Sequence, residues 1–149
     1  MQPARRHRNA SAVPARVLGA IGYLWAAPTT AAGLLFLLPM WALGQVAPRR
    51  WSDGVWEWSV VFGSRFWRRY TQRGWAGTTL GFCVMYSPGK EHVRSVAIHE
   101  RRHVWQALWL GPLFFPVYGL LFLFTGYHRH PMERDAVRWE EKQLRGRAG

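Results

Sequence analysis

Two long stretches without a charged residue constrain this chain more than any other feature. They cover residues 17–46 and residues 104–127. Each is at least as long as the roughly 20 apolar residues that a helix needs to cross a bilayer. Disordered basic proteins lack such apolar content, and a small soluble nucleic-acid-binding domain does not need it. The sequence therefore predicts a membrane-associated protein.

The charge of the chain is strongly positive, with 20 Lys and Arg residues against 8 Asp and Glu residues. Between residues 47 and 90, arginines are interspersed with tryptophans and phenylalanines. This mixture could stack on single-stranded nucleic acid. Beside two apolar stretches it favours lipid headgroups, with Trp at the interface and Arg on anionic lipid. We therefore expect anionic membrane lipids as partners and rank nucleic acid well below them.

The sequence divides into a basic tail over residues 1–16, a transmembrane segment over 17–46 and a membrane-associated domain over 47–149. In the transmembrane segment, Pro28 suits the first turn of a helix that runs from about Thr29 to Val46. Pro28 and Pro39 leave two alternatives, one kinked spanning helix or a short hairpin that returns to the same side. The length of the segment favours the single span.

Two stretches of the domain predict β-strands. Alternation of Trp56, Trp58, Val60 and Phe62 predicts a strand over 55–62, although a helical face fits the same spacing. Residues 78–86 are β-branched and aromatic and lie between turn residues, so they predict one strand. Together with the helices described next, these strands predict an α+β fold with a small sheet.

Residues 91–110 predict a helix that ends at Gly111 and Pro112. It contains the pattern H-E-x-x-H, from His99 to His103. On a helix this spacing places two imidazoles on one face, where they can share a zinc ion. Glu100 can then take a proton from water on that ion and act as the general base.

The two residues between the histidines support a competing interpretation. Arg101 and Arg102 are typical of a surface pair of histidines on a basic amphipathic helix. Against it, the helix runs directly into an apolar stretch, which favours metal binding over two solvated histidines. The alternative function is a non-catalytic integral membrane protein that binds metal or anionic lipid in a structural or sensing role.

A catalytic zinc ion needs a third protein ligand and one open position. Glu133 is the candidate, because it lies at the start of a short amphipathic helix predicted from about Pro131. His128, His130 and Asp135 are the alternatives.

The order of these motifs resembles a group of small bacterial membrane proteins. They share H-E-x-x-H-x-x-Q, here ending at Gln106, then a G-P-L-aromatic stretch from Gly111, then E-x-x-A from Glu133. These proteins are similar in turn to gluzincin-type zinc metallopeptidases. The resemblance covers about residues 78–139. It implies His99, His103 and Glu133 as zinc ligands, Glu100 as the base, and hydrolysis of peptide bonds by zinc-activated water.

A shared metal ion would also constrain the second apolar stretch. If His103 and Glu133 bind one ion, both ends of residues 104–127 lie on one side of the membrane, so the stretch enters and returns. Pro112 and Pro116 allow this. In a zinc peptidase the strand over 78–86 would hold an extended substrate by backbone pairing.

The distribution of basic residues predicts the orientation of the domain. Residues 47–103 carry ten Lys and Arg residues and 128–149 carry six, against four in the tail. Cytoplasmic segments are enriched in these residues, so we expect the site to face the cytoplasm. Only Lys90 and Lys142 are lysines, a preference for Arg that is typical of GC-rich bacterial genomes. We therefore expect an integral protein of the bacterial inner membrane.

Overall fold

The computed structural model describes residues 20–52, 54–72 and 74–146. The predicted basic tail and the start of the predicted transmembrane segment lie outside these residues. The helices and strands are, in order, α1 (Ala20–Ala42), β1 (Val46–Ser52), β2 (Val55–Val60), α2 (Arg65–Gln72), β3 (Gly77–Leu80), β4 (Cys83–Tyr86), α3 (Arg94–Leu110), α4 (Phe114–Arg129) and α5 (Pro131–Arg145). Short 3-10 turns cover Lys90–His92 and Gly111–Leu113. The predicted α+β class is confirmed.

A mixed sheet forms the centre of the domain. Within the described residues it has four strands in the order β1-β2-β4-β3. β1 and β2 form an antiparallel hairpin, β2 and β4 are parallel, and β3 is antiparallel to β4. The central strands β2 and β4 are buried along most of their length. β1 and β3 are therefore the edges of the sheet.

The two strand predictions have different outcomes. The strand predicted for residues 55–62 is confirmed over Val55–Val60, and its helical alternative is wrong. The single strand predicted for residues 78–86 is wrong, because β3 and β4 form a hairpin that turns at Gly81 and Phe82. Gly81 has φ +68°, and a Cβ there would meet the backbone of Thr30 in α1. Glycine satisfies both the positive φ and the close approach of the helix.

Helix α1 is one continuous helix over Ala20–Ala42 and includes Pro28 and Pro39. The predicted start near Thr29 is wrong, and the hairpin alternative does not form. One side of α1 packs on the sheet, with buried residues at a spacing of three or four: Ala26, Thr29, Gly33 and Leu37. The approach is close, because a Cβ on Gly33 would lie 2.7 Å from Cβ of Leu80 in β3. The other side of α1 is exposed and apolar.

The second apolar stretch is not one straight helix. Helix α3 ends at Leu110, and Gly111, with φ +53°, leads into the short turn that starts α4. Gly126, with φ +63° and ψ 177°, interrupts the helix again before α5 begins at Pro131. The chain thereby returns, and α5 packs along α3. The helix predicted for 91–110 is confirmed from Arg94, and the helix predicted from about Pro131 is confirmed.

Two helical stretches among the described residues are long and apolar enough to cross a membrane, by length and composition alone. They are Gly22–Ala42 and Arg94–Arg129, each with 22% of its most apolar window buried. Core helices of soluble proteins pass the same test, so composition supports a membrane protein only weakly. The packing of each helix against the rest of the domain indicates its relation to a membrane better than its composition does.

Candidate metal centre

Three side chains that the sequence pointed to converge between α3 and α5. His99 Nε2 lies 3.2 Å from His103 Nε2 and 3.3 Å from Glu133 Oε2. His103 Nε2 lies 3.2 Å from Glu133 Oε1. One ligand atom from each of the three residues lies within 4.8 Å of the others. The structure therefore brings His99, His103 and Glu133 together, as expected for a shared metal ion.

The separations of these atoms fit a tetrahedral metal ion. Zinc bonds of about 2.1 Å at tetrahedral angles place neighbouring ligand atoms about 3.4 Å apart. The two Nε2 atoms, 3.2 Å apart, are close to this value, and each lies 3.2 or 3.3 Å from one of the two oxygens of Glu133. Two imidazoles and one carboxylate would also leave the fourth position open, as in catalytic zinc sites.

His103 is held by an amide whose orientation is fixed. Gln106 donates from Nε2 to the carbonyl of Met132 at 3.2 Å and to Asp135 Oδ2 at 2.8 Å. Its Oε1 therefore faces His103 Nδ1, at 2.8 Å, and accepts a hydrogen bond from the Nδ1–H group. The proton on Nδ1 leaves the lone pair of Nε2 free to bind a metal. Gln106 thus selects the tautomer that a metal ligand needs.

His99 has a comparable partner that the sequence did not reveal. Its Nδ1 lies 3.3 Å from Glu140 Oε2. Glu140 is seven residues after Glu133 on α5, so both carboxylates lie on one face of that helix. This spacing was the available signal for Glu140. A carboxylate at Nδ1 again directs Nε2 of the histidine toward the centre.

Glu133 lies in the first turn of α5 and is 7% exposed. The hydroxyl of Tyr118 in α4 donates to its Oε1 at 2.6 Å. Burial alone would raise the pKa of the Glu133 carboxyl, but the neighbouring His103 and His99 and the hydroxyl of Tyr118 outweigh this effect. They hold the pKa well below its ordinary value. The carboxylate is therefore ionised at neutral pH, as a metal ligand must be.

The alternative third ligands have other positions. His130 is the N-cap of α5: its Nδ1 accepts from the backbone N–H of Met132 at 3.2 Å, and its Nε2 lies 3.0 Å from the carbonyl of Tyr118. His128 is exposed on the last turn of α4. Asp135 accepts from an arginine, as described next. None of the three joins the cluster formed by Glu133 and the two histidines.

The two arginines inside the motif pair with acidic residues outside the histidine cluster. Arg101 is about 200° around the helix from His99 and donates to Glu57 of β2 at 3.0 Å. Arg102 donates to both carboxylate oxygens of Asp135, at 2.6 and 3.1 Å. Each arginine therefore ties α3 to a neighbouring element, and neither is a solvated residue of a surface helix.

Glu100, the predicted base, is 5% exposed and borders the same cavity. The hydroxyl of Thr79 in β3 donates to its Oε2 at 2.8 Å. Its side chain lies over Gly77, where a Cβ would be 2.6 Å from Glu100 Oε1. The sequence did not identify either contact, because both join positions more than 20 residues apart. The carboxylate is therefore positioned by the edge strand β3.

A cavity of about 900 Å³ opens at the centre. Strand β3 and the residues before it form one wall, and α3 and α5 provide the polar residues. Helix α4 forms an apolar wall with Phe114, Phe115, Tyr118 and Phe122. A ligand in this cavity would contact the three metal-binding candidates, Glu100 and a large apolar surface together.

Comparison of the chain with protein-family models, curated proteins and solved structures gives no match.

Proposed function

We propose that this protein is a membrane-associated zinc metallopeptidase. The observation that supports the proposal most is the convergence of His99, His103 and Glu133 in a cavity that also contains Glu100 and the edge strand β3. These are the components that peptide hydrolysis needs: a metal site with an open position, a buried carboxylate and a backbone edge for the substrate.

Each residue of the site has a distinct role in this proposal. His99, His103 and Glu133 hold the ion, and Gln106 and Glu140 orient the two imidazoles. A bound zinc ion would polarise the substrate carbonyl and lower the pKa of water. Glu100 accepts the proton of the attacking water and passes it to the leaving amine. The hydroxyl of Thr79 keeps the Glu100 carboxylate directed into the cavity.

Two walls of the cavity suggest the kind of substrate. Among the described residues β3 pairs only with β4, so its other side can bind an extended peptide as an additional strand. The facing wall from α4 is aromatic and apolar, and includes Phe115 and Phe122. We propose an extended peptide with a large apolar side chain next to the bond that is cut.

We place the protein at the bacterial inner membrane, with the site on the cytoplasmic side and with anionic lipids as neighbours. The support is the exposed apolar surface of α1 and α4 and the excess of Lys and Arg over residues 47–103 and 128–149.

The test of the proposal combines metal content with cleavage of a peptide library by the purified protein in detergent. We expect one zinc ion per chain and cleavage that chelation abolishes. Glu100→Gln should keep the zinc and lose activity by about 100-fold or more. The matched control is Glu141→Gln, an exposed glutamate of α5 outside the site. Native protein without zinc, or a Glu100→Gln variant with unchanged cleavage, would refute the proposal.

A structural metal site in a non-catalytic membrane protein is the second candidate. The observation that favours it is that His99 and His103 on α3 and Glu133 on α5 link two packed helices. In that case zinc removal would unfold the domain, and no peptide would be cut. The same preparation distinguishes the two candidates when unfolding is followed with and without chelator.

A further inference from the structure

An exposed apolar surface extends over parts of α1 and α4. We call it the apolar belt, and it comprises Leu24, Trp25, Leu35, Leu38, Trp109, Leu113, Leu120, Leu123 and Phe124. Leu24 and Leu35 are each 76% exposed, and Leu123 and Phe124 are each 81% exposed. Exposed apolar patches of this extent mark a surface that contacts lipid or another protein.

The belt is continuous where α1 meets the start of α4. Trp25 Nε1 donates to the carbonyl of Trp109 at 3.3 Å. A Cβ on Gly111 would touch the indole ring of Trp25. Thr29 also donates to the carbonyl of Gly111. The exposed Trp25 and Trp109 are therefore adjacent, where α1 meets the turn that starts α4.

The opposite side of α1 contacts the sheet along nearly its whole length. Near its start, the ring of Tyr23 packs on Phe82 with centroids 4.5 Å apart. Midway, Thr30 accepts from the backbone N–H of Phe82 at 3.1 Å. Further on, Leu37 is fully buried in the core beneath β2. From Tyr23 to Leu37 the helix advances about 21 Å, most of the thickness of a bilayer core.

The sheet itself does not fit a hydrocarbon environment. In the part of the chain that the structure describes, its edge strands β1 and β3 each have a partner strand on one side only, which leaves backbone polar groups along the outer edges. Strand β1 also carries Arg50, whose charged side chain is 62% exposed. Unpaired backbone groups and charges are strongly unfavourable in the bilayer core. A helix that lies along this sheet for about 21 Å therefore cannot also cross the bilayer.

Basic residues border the belt. Helix α2 meets α1 through the rings of Phe66 and Phe36, whose centroids are 5.9 Å apart. Arg65 and Arg69 of α2 are exposed beside this contact. At the other end of the belt, α4 finishes with the exposed Arg129. An apolar surface with a cationic border is complementary to an anionic lipid leaflet.

We propose that the apolar belt is inserted into one leaflet of an anionic membrane, with α1 parallel to the membrane plane, so that α1 does not cross the bilayer. The sheet and the metal centre then lie on one side of that leaflet. This inference deepens the membrane association in the proposed function and is independent of the zinc chemistry.

The test measures the depth of three residues that lie on the exposed side of α1, two helical turns apart. Leu24→Cys, Ala31→Cys and Leu38→Cys each receive a fluorescent thiol label in the full chain, which is then bound to phosphatidylcholine–phosphatidylglycerol vesicles. Quenching by lipids that carry nitroxides at shallow and deep positions reports the depth. The matched control is the native chain, whose single cysteine, Cys83, is buried and should remain unlabelled.

A helix parallel to the membrane gives equal depths for the three labels. A spanning helix gives depths that differ by about 10 Å between successive labels, and that result would overturn the proposal. Leu35→Cys replaces any variant that fails to fold. The proposal and the membrane association both fail if the chain does not float with vesicles. They also fail if dimers cover the apolar belt in lipid-free buffer. Zinc binding in detergent stays measurable in either case, so the metal site is tested separately.

Discussion

Helix α3 carries two buried polar clusters on opposite sides, and they differ in how their charges are satisfied. On one side, Glu57 accepts from Arg101 and Arg50, so two cationic donors meet a carboxylate acceptor. On the other side, the Nε2 atoms of His99 and His103 face each other and the carboxylate oxygens of Glu133. Three electron-pair donors that converge need a proton or a cation between them. The first cluster is therefore structural, and the second fits a metal ion.

The largest expected effect is on the histidine side of this comparison. His103→Ala removes one of three ligands, so stoichiometric zinc and all cleavage should be lost. The affinity of the variant for zinc should fall by at least about 100-fold. Loss of a group that only hydrogen-bonds to a metal ligand already lowers metal affinity by about 10- to 100-fold. A chelator competition assay measures it. His92→Ala, at an exposed histidine seven residues before His99, is the control and should bind zinc normally.

The arginine side should respond in stability and not in metal binding. Glu57 is 2% exposed, so it stays buried in Arg101→Met. Arg50 is then its remaining partner. Breaking a buried ion pair in this way should lower the free energy of unfolding by about 3 kcal/mol. Denaturant titration in detergent measures the loss. A variant of native stability, or one that loses zinc in the folded state, would show that the two clusters are not separate in function.

A third variant tests the fixed tautomer of His103. Gln106→Leu removes the acceptor of the Nδ1 proton, so zinc affinity should fall by about 10- to 100-fold while the ligands remain. Gln72→Leu, at an exposed glutamine of α2, is the control. The NMR signature of His103 should change from a single tautomer to a mixture. Unchanged affinity would mean that Gln106 serves the packing of α3 on α5 alone.

Sequence patterns predicted the part of the site that depends on local geometry. The spacing of His99 and His103 sets their positions on one helix, and a helix that starts at Pro131 places Glu133 in its first turn. Their convergence also needs the reversal of the chain between α3 and α5. Gly111 and Gly126 provide the two breaks in that segment, and both have positive φ.

Contacts between distant segments were beyond the sequence. Nothing local indicates that Gly77 leaves room for the Glu100 side chain, or that Tyr118 reaches Glu133. Helix α1 shows the same limit, since both of its sides are apolar and polarity cannot distinguish the packed side. Size does not distinguish the sides either, because small residues lie on both, with Ala26 and Gly33 buried and Ala31 exposed.

The smallest expected effect concerns the ion pair of Arg102 with Asp135, which links α3 to α5 beside the metal centre. The hydrogen bonds from Arg102 lower the pKa of the Asp135 carboxyl, and those from Gln106 add to the effect. Because the side chain is 43% exposed, Asp135→Asn should cost only about 0.5 kcal/mol at pH 7. A carboxyl whose pKa is lower in the folded protein than in the unfolded chain stabilises the folded protein. This contribution is complete above the ordinary pKa, near 4, and is lost as the pH falls through the pKa of the folded protein. Native and variant stabilities, measured by denaturant titration, should therefore converge in acid. A difference that persists at low pH would show that Asp135 acts through Gln106 and the orientation of His103, and not through its charge.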